Sequence, residues 1–237
     1  MIDNLPAYVS ITFILTTFLT VGIFLYSVKR AAFSSNWAKF LSFLLFFWLF
    51  FQAVLAISGF YLKIESLPPK LPLYGILPPF LTIIALFVFA RKNFVSHLSL
   101  KTLTILHIVR IPVEIVLLWL FQAGQVPQLM TFEGRNFDII SGLTAPLIYW
   151  LAFRGDNTNP PILIIWNIIA LGFLINIVTH AFLSFPFPLQ QLAFDQPNRA
   201  VLYFPFVWLP TIVVPLVLFC HLASLWQLFF GSKIKTL

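Results

Sequence analysis

Long apolar runs alternate with short polar segments from one end of the chain to the other. Seven of them reach or approach the ~20 residues that a helix needs to cross the hydrocarbon of a bilayer, at roughly 7–28, 38–62, 75–90, 102–123, 137–153, 161–184 and 201–230. The third and fifth are short, and Pro78 and Pro79 near the start of the third predict an irregular first turn. Membrane barrel strands alternate apolar and polar residues. The unbroken run Phe43 to Phe51 does not. The pattern predicts an all-α polytopic membrane protein, with residues 1–237 forming one integral bundle of seven transmembrane helices. The connecting loops are too short to hold a core of their own.

Composition strengthens this picture. The 237 residues are 60% hydrophobic and only 9% charged, against about 25% charged in a soluble domain. So few charges cannot cover a soluble surface. A net charge of +7 in a soluble protein would suggest nucleic acid. Here the basic residues are scattered between apolar runs, which suits loops that face anionic membrane lipids and argues against a nucleic-acid partner.

The placement of those charges predicts orientation. The first run has only Asp3 before it, while Lys29 and Arg30 follow it. That is the reverse of a secretory signal, so the run reads as a retained helix with its N-terminus outside. The inner loops then carry Lys29, Arg30, Lys39, Arg91, Lys92, Lys101, Arg154, Lys233 and Lys235, and the outer loops only Lys63, Lys70, Arg135 and Arg199. Seven spans leave the C-terminus inside. The expected location is a plasma (inner) membrane, crossed many times.

Candidate chemistry sits where polar residues interrupt the apolar runs, because a charge inside a membrane is costly and turns inward. The fourth run holds His107, Arg110 and Glu114 on one helix face. Arg110 and Glu114, four apart, can pair directly. Pro112, lying between them, frees the carbonyl of Ile108 and predicts a kink. The segment before the fifth run is the most polar of the chain, with Glu133, Arg135, Asn136, Asp138 and Ser141. Asn136 or Asp138 suits a helix N-terminus. Gly142 and Ala145 on the same face permit close helix contact. Asn176 and His180 lie near the outer end of the sixth run, followed by Asp195, Asn198 and Arg199. The seventh contains Pro205, Pro210 and Pro215 and then Cys220 and His221, so a broken helix is expected there.

These residues predict an outward-facing pocket between helices four to seven for a lipid or small, possibly anionic, ligand. Glu114, about 12 Å below the outer edge at 1.5 Å per residue, forms its floor. Glu114, Asp138 and His180 are the candidates for acid–base, hydrolase-like chemistry, and Arg110, Glu133, Arg135, Asn176 and Arg199 for ligand binding. Two alternatives stand beside this. One is a solute or proton-coupled transporter that uses the Arg110–Glu114 pair and the proline-broken last helix. The other is a haem or metal protein that uses His107 and His221, which lie at similar depth. No nucleotide-binding, metalloprotease or nucleophile-elbow motif is present. One cysteine excludes a disulfide and a thiolate cluster. No lysine lies in the last span to hold retinal.

Overall fold

A computed structural model describes residues 2–31, 35–155 and 157–234, with backbone alone at 35–38 and 232–234. Lys235 and the side chain of Lys233, both counted in the charge bias, lie outside the described residues. The helices are α1 (Ala7–Arg30), α2 (Ser35–Ile57), α3 (Leu77–Phe89), α4 (Leu100–Leu106), α5 (Arg110–Gln122), α6 (Asp138–Ala152), α7 (Pro160–Leu183) and α8 (Val214–Ile234). A π-helical turn (Leu71–Ile76) leads into α3, another (Leu209–Val213) leads into α8, and a 3-10 turn (His107–Val109) joins α4 to α5. Among the described residues the one strand pairing is a two-residue antiparallel contact, Phe153–Arg154 with Asn157–Thr158, between α6 and α7.

Among the described residues, six helical stretches are long and apolar enough to cross a membrane: Ala7–Arg30, Lys39–Ile57, Leu71–Phe89, Leu100–Gln122, Pro160–Leu183 and Leu209–Gly231. The chain is a multi-pass helical membrane protein. The irregular turns fall where proline removes a backbone donor. Pro72, Pro78 and Pro79 disturb the start of the third stretch, and Pro210 and Pro215 the start of the last. Pro112 has no N–H for the Ile108 carbonyl, so the fourth stretch tightens at His107–Val109 and α5 restarts at Arg110. The sequence placed the last run from residue 201. The chain instead forms compact turns through Trp208, with Phe206, Val207 and Trp208 buried, and helix begins only at Leu209.

The fifth run differs more. Its helix has 15 residues, about 22 Å of rise, which falls short of a hydrocarbon core of about 30 Å. Neighbouring contacts show where it starts. Asp138 is beside Arg110, and Gly142 against Ile111. Trp166 Nε1 donates to Thr144 Oγ1 at 2.9 Å, and Asn159 N–H to the Ala152 carbonyl. So α6 runs antiparallel to both α5 and α7, and it starts level with the first turn of α5 instead of with its end at Gln122. The segment 123–137 folds back into the bundle to reach that depth. Gly134 permits the turn, because a Cβ there would collide with the Gln128 carbonyl.

Ring contacts set the remaining directions. Tyr8 meets Trp119 (4.9 Å between centroids) and Phe24 meets Phe219 (5.7 Å), so α1 is antiparallel to α5 and parallel to α8. The loops 123–137 and 184–208 meet on the N-terminal side, where the Arg199 N–H donates to the Gln125 carbonyl. On the opposite side Gln227 Nε2 donates to the carbonyls of Val95 (2.7 Å) and Leu98 (2.9 Å). The α4–α5 stretch is the most deeply buried and forms the centre of the bundle; α2 and α3 are peripheral, with most of their residues exposed or half-buried.

Candidate functional site

The site is built on the restart of helix at Arg110. Arg110, Glu114, Asn136, Asp138, Asn167 and His221 are all buried. Four helices and the infolded loop supply them. Gly142 makes the approach of α6 possible: a Cβ there would sit 2.9 Å from Ile111 Cγ1 and 3.0 Å from the Ile111 backbone nitrogen.

Arg110 and Glu114 both turn into the bundle, yet Arg110 pairs with another carboxylate. Its Nη1 lies 2.9 Å from Asp138 Oδ1. That is ion-pair distance without the alignment of a hydrogen bond, since Oδ1 has no hydrogen-bond partner among the described residues. The same Nη1 donates to the Ala170 carbonyl (3.3 Å), and Nη2 meets His221 Nε2 at 3.0 Å. Glu114 is bound instead by Asn136, whose Nδ2 reaches both carboxylate oxygens (2.6 and 2.7 Å) and the Met130 carbonyl (3.0 Å). Asn136 Oδ1 accepts the Asp138 N–H at 2.9 Å. Asn136 therefore opens α6 and holds Glu114 at once.

The far side of the network assigns a tautomer. Asn167 Nδ2 donates to the Leu163 carbonyl (2.8 Å), which leaves Asn167 Oδ1 to accept from His221 Nδ1 (2.8 Å). His221 Nδ1 thus carries the proton, and Nε2 offers its lone pair to Arg110. With both nitrogens engaged, His221 has none for a metal. The expected pairing of His107 and His221 around a ligand is corrected accordingly. The two rings stack face to face, 3.9 Å between centroids, with no space between them for a haem or an ion. No group of three or more His, Cys, Asp or Glu able to hold a metal occurs among the described residues. His107 is wholly buried, edge-on to Trp166 at 5.3 Å.

A cavity of about 120 Å³ adjoins the network on the N-terminal side. Glu114, Asp138 and the wholly buried Asn198 are the polar residues of its lining; its buried floor also includes Val113, Leu117 and Leu174. Its other end lies among half-buried or exposed residues of α3, α7 and the α8 entry, including Phe80, Phe182 and Leu209. Of the expected pocket residues, Glu114 and Asp138 are therefore brought together. Glu133, Arg135 and Arg199 are exposed and line no part of the cavity. Asn176 donates to the Arg135 carbonyl (2.7 Å), and His180 Nδ1 meets the Asn176 carbonyl (2.9 Å). Both sit on a face of α7 turned away from Ile177, Val178, Ala181 and Phe182, which line the cavity. Asp138, expected at the outer boundary, lies deeper because the loop before it folds inward.

A family model, described as a domain of unknown function (DUF8737), matches residues 68–229, more than half of the chain. The chain belongs to this family. The matched stretch contains every residue of the DUF8737 network and cavity named above, from Phe80 to His221, and leaves out α1 and α2. Neither the curated proteins nor the solved structures contain a match.

Sequence reasoning passed over Asn167 and gave Asn198 no role in the pocket floor. Asn167 is a polar residue in the middle of an otherwise apolar run, the same signal that marked Arg110. Asn198 carries no such signal, since it lies in a polar loop.

Proposed function

We propose that this protein binds a small or lipid-like molecule within the membrane, in the cavity floored by Glu114 and Asp138. The observation that carries the reading is the pairing of two buried carboxylates with otherwise apolar walls. Ligand pockets have this composition, mostly apolar with a few convergent polar groups. The partly exposed end of the cavity lies on helix faces that a bilayer would cover, so membrane lipids are the natural neighbours and the route of entry is lateral. Hydrolase-like acid–base chemistry loses support, because His180 faces away from the two carboxylates.

The same reading takes seven crossings, with the infolded segment 123–137 completing the span begun by the short α6. The N-terminus is outside and the C-terminus inside, in a plasma (inner) membrane. Support comes from Lys29, Arg30, Arg91, Lys92, Lys101 and Arg154, which belong to the end of the bundle opposite the N-terminus. The transporter reading keeps one favourable observation. The helix breaks at His107–Val109 and Leu209–Val213 lie near the buried charges, as in carriers with discontinuous helices.

Saturable binding of hexanol to the purified protein, followed by calorimetry, tests the cavity. Ala181→Phe, at its half-buried edge, is expected to abolish that binding. If the variant binds as the parent does, the cavity is not the site.

A further inference from the structure

We infer that the cavity selects a primary ammonium group on a small alkyl or aryl body. This rests on the binding reading above and reverses the sign of the expected ligand. No polar side chain with accessible surface in the cavity is an obligate hydrogen-bond donor. No Lys, Arg, His, Ser, Thr, Tyr or Trp side chain lines it. Asn198 Nδ2 is committed to the Ala181 carbonyl at 3.3 Å, while Asn198 Oδ1 is buried with no partner. The Glu114 oxygens receive only the Asn136 amide, and each has a second lone pair.

Charge points the same way. Arg110 is engaged by Asp138, His221 and the Ala170 carbonyl, and no ion pair of Glu114 with a cation occurs among the described residues. Two carboxylates therefore share one guanidinium in an apolar setting, where an uncompensated charge is costly. An ammonium supplies the missing positive charge and N–H donors for the two carboxylates Glu114 and Asp138, which keep a little accessible surface while Asn198 is wholly buried in the wall. An alcohol supplies one donor and no charge, and a carboxylate would be repelled. The volume, about 120 Å³, resembles engineered cavities of ~150 Å³ that admit benzene, so a short alkyl or single-ring body is the limit.

The test compares hexylamine, hexanol and hexanoate by calorimetry on the full-length protein in detergent near neutral pH. Hexylamine is expected to bind at least about tenfold tighter than hexanol, the equivalent of one charged hydrogen bond, and hexanoate not at all. Glu114→Gln should bring hexylamine down to the affinity of hexanol. Hexanol binding as tightly as hexylamine to the parent protein would overturn the ammonium selectivity and leave the binding cavity standing. Absence of binding by all three probes would overturn both.

Discussion

Arg110 pairs across the bundle with Asp138, at 2.9 Å, while Glu114, one turn along from Arg110, is held by Asn136. The two acids thus differ in what they hold. Asp138 neutralises the buried guanidinium. Glu114 anchors the infolded loop and faces the cavity.

Asp138→Asn should therefore be the more damaging of the two isosteric changes. It leaves Arg110 buried without its counter-charge, at a cost of about 3–5 kcal/mol. Glu114→Gln retains an acceptor for Asn136 and should cost only about 1 kcal/mol. Unfolding in mixed micelles with increasing SDS measures both. Equal losses would mean that Arg110 draws on the two acids alike.

Gly142→Ala is expected to destabilise by about 1–3 kcal/mol, although alanine is the better helix former. The added carbon meets Ile111 at 2.9 Å, and α6 must retreat from Arg110. A neutral or stabilising effect in the same assay would rule out this close approach.

Asn136→Ala removes the side-chain acceptor of the Asp138 N–H at the start of α6, worth about 1 kcal/mol, together with the amide that binds Glu114. Asn136→Asp keeps an acceptor oxygen but places a second negative charge against Glu114. Asp should accordingly be worse than Ala, the opposite of the usual order at a helix N-terminus. Thermal unfolding of the two variants decides the order.

Nitrogen-15 spectra of histidine-labelled protein should show His221 neutral with its proton on Nδ1, as its partners Asn167 and Arg110 require. Asn167→Leu should release that preference. An Nε2-protonated ring in the parent protein would contradict the network.

Cysteines placed at Lys39 and Lys70 report orientation. The native Cys220 is buried and should not react. Membrane-impermeant reagent added from outside is expected to label the Lys70→Cys protein and spare the Lys39→Cys protein. Labelling of both from one side would overturn the arrangement of crossings.

Hydropathy alone determined that the chain is helical and crosses a membrane many times, because solvation in hydrocarbon acts on each run separately and needs no knowledge of neighbours. It also singled out Arg110, Glu114, Asp138 and His221, since a polar group in an apolar run is costly wherever the helix packs. The partners were decided by the tertiary structure. Glu114 is four residues from Arg110 and close enough to pair along the helix, but Gly142 lets α6 bring Asp138 nearer, and segment 123–137 folds inward to give Glu114 an amide. Depth was misjudged for the same reason. Counting residues from the end of a run assumes that loops stay at the surface, and here the backbone between Gln122 and Asp138 descends into the bundle. The separation of His180 from the carboxylates, the stacking of His107 on His221 and the burial of Asn198 all depend on how helices and loops pack together, and hydropathy read along one run at a time carries no information about that packing.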